Sequence, residues 1–81
     1  MDFMYSYEDL DNHSGIKIRN SQTECYLKRQ DEDGEYWVKC RRLDDSKIIE
    51  VERVSEDTLL DRLNSDPNNY KLLSEVIICI L

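Results

Sequence analysis

Between Gly15 and Val54 apolar and polar positions alternate with period two, in runs rich in β-branched and aromatic residues separated by short polar punctuators. Such alternation marks the half-buried strands of an antiparallel meander. It predicts four strands: Gly15 to Asn20, Thr23 to Gln30, Glu35 to Leu43 and Lys47 to Val54. Register can be tested on paper, because a slip of one residue moves every side chain of a strand to the other face. A two-residue loop at Ser21-Gln22 sets Ile18 against Cys25 and Ile16 against Leu27, with Arg19 facing Glu24 and Lys17 facing Tyr26.

The second hairpin turns through Asp31-Glu32-Asp33-Gly34 and sets Cys25 opposite Cys40, Leu27 opposite Val38, Lys28 opposite Trp37 and Glu24 opposite Arg41. A turn at Asp33-Gly34 alone has the stronger local signal. It would oppose Lys28 to Lys39, and like charges directly across a ladder are destabilising. The third hairpin, turning at Asp45-Ser46, pairs Cys40 with Val51, Leu43 with Ile48, Arg41 with Glu50, Lys39 with Glu52 and Trp37 with Val54.

Two contrasting faces follow. One carries Ile16, Ile18, Cys25, Leu27, Val38, Cys40, Ile49 and Val51 and needs a cover. The other carries Lys17, Arg19, Glu24, Tyr26, Lys28, Trp37, Lys39, Arg41, Glu50 and Glu52, a solvated pattern of opposite charges.

Beyond the meander, Ser55 is an N-cap type, Glu56 and Asp57 suit a first helical turn, and Leu59, Leu60 and Leu63 have helical spacing until Asp66-Pro67 stops it. From Asn69 the positions Leu72, Leu73, Val76, Ile77 and Ile80 suit a second amphipathic helix over the sheet, although Val76 to Leu81 also reads as a buried strand. At the other end, Phe3, Tyr5 and Tyr7 alternate with polar residues, as in an extended arm or edge strand. The expectation is an α+β fold: a four-stranded antiparallel meander with an optional N-terminal edge strand, covered on one face by two C-terminal helices. Residues 1–81 form one small domain, divided into an arm (1–14), the meander (15–54) and a helical segment (55–81).

Composition narrows the class. With 40% hydrophobic residues, five Tyr and one Trp but only two Gly and one Pro, the chain is too apolar for a disordered tail and too poor in Gly for a linker. No apolar run approaches the ~20 residues of a membrane span, and no basic residue precedes Lys17 to make a signal-peptide start. Three cysteines without a C-x-x-C suit reduced thiols, so a cytoplasmic setting is expected.

The formal charge of −7 is uneven: −4 over residues 1–14, +1 over 15–47 and −4 over 48–81. A general phosphate-backbone binder needs a basic footprint, so this balance disfavours nucleic acid as a partner.

Five constellations carry chemistry worth weighing. Asp9 to Gly15 resembles the start of a calcium loop but lacks Gly at its sixth position and Glu at its twelfth, which is Asn20, so no metal is expected. His13, the single histidine, has no nucleophile and oxyanion site near it in sequence, so neither catalytic residues nor a cofactor are assigned. Cys25 and Cys40, opposed by the derived register, could respond to oxidation or simply act as small core residues. Lys17, Arg19, Tyr26, Lys28, Trp37, Lys39 and Arg41 on one face could form a nucleic-acid platform.

The fifth is the acidic set, Glu8, Asp9 and Asp11 with Phe3, Tyr5 and Tyr7, and Glu56, Asp57 and Asp61 on the expected helix. Carboxylates beside aromatic anchors suit docking on a basic protein surface, with charge raising the on-rate and rings supplying affinity. The sequence therefore points to a small non-enzymatic protein-binding inhibitor or adaptor. By analogy alone, such proteins are a strategy of phages and mobile elements against nucleic-acid-handling host enzymes. The competing readings are a nucleic-acid-binding module using the basic sheet face, and a structural homo-oligomer joined through Val76 to Leu81.

Overall fold

The structure is a computed structural model that describes residues 4–74. The alternation is realised as strands β1 (Gly15–Ile18), β2 (Glu24–Asp31), β3 (Gly34–Arg42), β4 (Ile48–Val54) and β5 (Tyr70–Leu73), in an open antiparallel sheet of order β4-β3-β2-β1-β5. Helix α1 (Tyr7–Asp11) precedes the sheet, α2 (Glu56–Ser65) follows β4, and a 3-10 turn at Pro67–Asn69 leads into β5. The α+β class and the antiparallel meander are as expected from the alternation.

The second hairpin has the derived register throughout: Glu24 faces Arg41, Cys25 faces Cys40, Leu27 faces Val38 and Lys28 faces Trp37. The turn closes at Asp31 opposite Gly34, where the Asp31 carboxylate accepts from the Asp33 N–H at 2.9 Å and Gly34 takes a φ of +123°.

The first hairpin differs by one residue. Ile16 faces Tyr26 and Lys17 faces Cys25, so the pairs Ile16–Leu27, Ile18–Cys25, Arg19–Glu24 and Lys17–Tyr26 do not form across the ladder. The cause is the loop. The Ser21 N–H bonds the Ile18 carbonyl, and the Ser21 hydroxyl accepts from both Thr23 and Glu24 N–H, stabilising a five-residue connection from Arg19 to Thr23 in place of a two-residue one. An odd loop length shifts the strand by one.

In the third hairpin Trp37–Val54 and Lys39–Glu52 stand as derived. Nearer the turn Cys40 faces Glu50, Arg41 faces Ile49 and Arg42 faces Ile48, and a bulge after Lys39 leaves Val51 as the extra residue. The pairs Cys40–Val51, Arg41–Glu50 and Leu43–Ile48 are thereby replaced. Leu43 instead bonds Lys47 around a three-residue Asp44-Asp45-Ser46 loop with Ser46 at φ +66°, the left-handed position that such loops require.

The slip in β1 decides which face is covered. Ile16 and Ile18 now share a face with Tyr26 and Trp37, and these pack with Val54, Leu10 of α1 and Leu59, Leu60 and Leu63 of α2 in the main core. The helices therefore cover the face expected to be solvated, because two aromatic side chains bury more apolar area than the small residues opposite them. Cys25, Leu27, Val38 and Cys40 form a separate cluster on the other face, and Ile49 and Val51, expected in the core, are exposed.

Both ends of the chain differ from expectation. In place of an extended arm, Ser6 opens α1 through a capping box with Asp9, whose carboxylate accepts from the Ser6 N–H at 2.9 Å. In place of a helix from Asn69, Tyr70 to Leu73 pair with the open edge of β1, Ile18 facing Tyr70 and Ile16 facing Leu72. Phe3 and the stretch Val76 to Leu81 lie outside the described residues.

The two turns can be tested in opposite directions. A Cβ at Gly34 would meet open space but not an accessible φ, so Gly34→Ala is expected to cost about 1–3 kcal/mol by backbone strain alone. Ser46→Gly relieves the left-handed position and is expected to stabilise by about 0.5–1 kcal/mol. Urea midpoints of the two variants decide both; equal midpoints would mean that the turns do not take these conformations.

Candidate functional site

Two acidic helices that are far apart in sequence, α1 and α2, pack side by side over the main core, joined by Tyr7 and Asp57. Helix α2 begins as the sequence reads: the Ser55 hydroxyl accepts from the Thr58 N–H at 3.2 Å, and Glu56 and Asp57 occupy the first turn, where carboxylates favour the positive end of the helix dipole. With Leu59, Leu60 and Leu63 turned into the core, Glu56, Asp57 and Asp61 are left on the solvent side. Helix α1 lies beside it, buried through Leu10 alone.

Two contacts fix α1 and its leading residues against α2. The Tyr7 hydroxyl donates to the Asp57 carboxylate. Tyr5 is clasped more deeply: its N–H donates to Asn64 Oδ1 at 2.7 Å, its carbonyl accepts from Asn64 Nδ2 at 3.3 Å, and its hydroxyl donates to the Pro67 carbonyl at 3.0 Å. Tyr5 is thus half-buried and part of the scaffold, whereas Tyr7 and Met4 are exposed. Asp9 is engaged as the cap of α1, and its carbonyl accepts from His13 Nδ1 at 2.7 Å, so that nitrogen carries the ring hydrogen.

The two helices together carry six carboxylates, Glu8, Asp9 and Asp11 on α1 and Glu56, Asp57 and Asp61 on α2, with Asp11 and Glu56 lining one groove beside Lys28 and Arg53 and Asp9 lining another beside Arg19. The only basic residue within either helix, Arg62, turns to the sheet. Its guanidinium forks onto Glu52 of β4 at 3.0 and 3.3 Å and donates to the hydroxyl of the buried Tyr26 at 3.0 Å. The Tyr7 phenol responds to its acidic neighbours: the hydrogen bond to Asp57 first, then partial loss of water, then the charges of Asp57, Glu56 and Asp61 all push its pKa above the ordinary value.

Arg62 is the residue that sequence reasoning passed over. Its position three after Leu59 places it at the flank of the apolar stripe, where a long side chain can reach back to the sheet. The expected basic and aromatic sheet face, by contrast, is dismantled. Tyr26 and Trp37 are each 2% exposed beneath the helices. Lys39 and Arg41 both reach Glu24, at 3.8 and 3.0 Å, while Arg29 rather than Arg41 meets Glu50 at 3.4 Å.

At the far end of the sheet an open groove includes Lys28, Trp37, Glu35, Arg53 and Glu56. The Lys28 ammonium sits 5.4 Å from the Trp37 ring centre and donates to the Asp11 carbonyl at 3.2 Å, and Arg53 lies 4.0 Å over Tyr36. Each cation already has a ring and an oxygen or carboxylate partner, Arg53 pairing with Asp31 at 3.6 Å. Among the described residues no three His, Cys, Asp or Glu side chains are gathered so as to hold a metal ion, and no helix is long and apolar enough to cross a membrane.

The fold and the site thus define an open-sheet α+β domain with two acidic helices packed side by side. Comparisons with known protein families, curated proteins and solved structures find no match for this chain.

The Arg62 fork holds the Glu52 carboxyl below the ordinary carboxylate range, outweighing the opposing effect of partial water loss. A carboxyl whose folded-state pKa is depressed stabilises the fold above its unfolded value of about 4.3 and loses that contribution as pH falls through the folded value. Glu52→Gln should therefore flatten the acid limb of the stability profile between about pH 5 and 3, and superimposable limbs in parent and variant would exclude the fork. Arg62→Leu leaves the Tyr26 hydroxyl without its partner and is expected to cost about 1–3 kcal/mol in a urea titration.

Proposed function

We propose that this protein is a non-enzymatic binding module, an inhibitor or adaptor, that docks its acidic two-helix face on a basic surface of another protein. The observation that carries this reading is the packing of α1 beside α2 through Tyr7 and Asp57, two helices that carry six carboxylates while their one cation, Arg62, is turned to Glu52 and Tyr26. Charge of one sign steers a basic partner and selects against acidic ones. Met4 and Tyr7, 73% and 51% exposed at the start of α1, supply apolar contact area next to that charge. A cytoplasmic setting, where thiols stay reduced, belongs to the same reading.

Nucleic acid is the weaker alternative. Stacking platforms need exposed rings beside cations, and here Tyr26 and Trp37 are in the core.

The test uses a variant that removes charge without touching the clasp or the caps: Glu8→Gln, Asp11→Asn, Glu56→Gln and Asp61→Asn together. Immobilised parent protein should retain basic proteins from lysate at low salt and release them near 0.5 M salt, where the screening length is about 4–5 Å. The variant should retain them at least tenfold less. Equal retention by the variant, or capture that ignores salt, would sink the reading, and mobility shifts of DNA or RNA at low salt would favour the alternative.

A further inference from the structure

Cys25 of β2 and Cys40 of β3 are direct partners across two neighbouring strands of the sheet. Their place in the ladder follows from one bond: the Arg42 N–H donates to the Thr23 carbonyl at 2.8 Å, which makes Thr23 and Arg42 a hydrogen-bonded pair. Such pairs recur at every second residue of a regular antiparallel ladder, and the β2–β3 register runs without a break from Glu24–Arg41 to Asp31–Gly34. Cys25 and Cys40 are therefore the next hydrogen-bonded pair, with Cα atoms about 5.5 Å apart. A disulfide takes Cα separations of about 4.4–6.8 Å, most often about 5.5–6 Å. Directly opposite residues also share one face, so the two sulfurs stand side by side in the cluster with Leu27 and Val38. Both are thiols in the structure.

The surroundings suit a bond that forms only under strong oxidation. A small cavity of about 10 Å³ is lined by both cysteines together with Gln22, Thr23 and Arg41. That is room for a molecule on the scale of water, so a peroxide is the size of oxidant that reaches the sulfurs and glutathione disulfide is not. Burial first and then the neighbouring Cys25 push the Cys40 thiol up, while the Arg29 guanidinium, paired with Glu50 at 3.4 Å, opposes them by its charge and a hydrogen bond to the sulfur. Cys40 thus keeps a cation beside a mostly protonated thiol, and its oxidation is slow until peroxide is in excess.

We propose that Cys25 and Cys40 are a peroxide-responsive pair whose disulfide staples β2 to β3. The Cys40 sulfur, as thiolate, attacks one peroxide oxygen: an S–O bond forms, the O–O bond breaks, and the departing hydroxide takes up the thiol proton as water. The Cys25 sulfur then displaces the hydroxyl of the sulfenic acid, the S–S bond forming as the S–O bond breaks, and its proton leaves with that hydroxyl as a second water. The two thiols give up two electrons, and one peroxide becomes two waters. In a reducing compartment the pair rests as thiols, and a dithiol reductant returns it to that state. Because the bond closes residues 25–40 into a loop in the unfolded chain, the oxidised protein resists unfolding more than the reduced one.

The test is hydrogen peroxide in excess, added to the full chain at a concentration where light scattering gives a monomer. Remaining thiols are then blocked with N-ethylmaleimide and the digest is read by mass spectrometry. A Cys25–Cys40 link within one molecule, with Cys79 outside it, is the expected product. In strong urea, where register is gone, the same treatment should spread links over Cys25, Cys40 and Cys79. Links chiefly to Cys79, links between molecules, or sulfinic and sulfonic acids in place of a link in the folded chain would overturn the proposal. So would Cys25 and Cys40 both still alkylated after the treatment. The urea midpoint of the linked protein should rise and then fall back after dithiothreitol, and an unchanged or lower midpoint would exclude the staple.

Discussion

The placement of Ile16 opposite Tyr26 is the constraint on which the rest of the molecule depends. With that pairing, Ile16 and Ile18 stand beside the two large aromatics, and a contiguous apolar floor exists for the leucines of α2. One residue of slip would return the isoleucines to the cysteine side and leave Tyr26 and Trp37 without aliphatic neighbours on β1. Because α2 lies on that floor, Arg62 falls within reach of the Tyr26 hydroxyl and Glu52. Because α2 lies there, α1 also finds a partner for Leu10 and Tyr7. The pairing of the two acidic helices is therefore a downstream product of strand register.

How far the sequence could be read is clearest hairpin by hairpin. The β2–β3 register was legible because its alternatives differ sharply in side-chain complementarity, Lys28 meeting Trp37 in one and Lys39 in the other. The β1–β2 register was not, because the deciding group is a single hydroxyl: Ser21 satisfies the N–H groups of Thr23 and Glu24 and holds an odd loop open. The β3–β4 hairpin was half legible. Trp37–Val54 and Lys39–Glu52 follow from composition, but a left-handed Ser46 carries no Gly or Asn to announce it. Local side-chain to backbone bonds compete with the ladder, and alternation alone does not weigh them.

The candidate site was legible as an inventory and illegible as an arrangement. Carboxylates at 8–11 and 56–61 could be counted, yet the pairing of the two helices depends on α1 forming at all. That helix begins with Ser6 and Asp9, a short acidic version of a capping box, hidden inside an aromatic alternation that reads equally well as a strand. Tyr5 and Tyr7, adjacent members of the same alternation, take opposite roles, one clasped to Asn64 and Pro67, the other exposed beside Asp57.

The bulge at Val51 sorts charge. Glu50 and Glu52 are two residues apart, and a regular strand would point both carboxylates the same way, where they repel. The extra residue breaks that parity. Glu50 goes to the side of Cys40 and meets Arg29, and Glu52 goes to the side of Lys39 and meets Arg62. A single irregularity in an edge strand thus gives each side of the sheet one carboxylate with its own arginine. It also breaks the even spacing of exposed backbone groups that another strand would need in order to add to this edge.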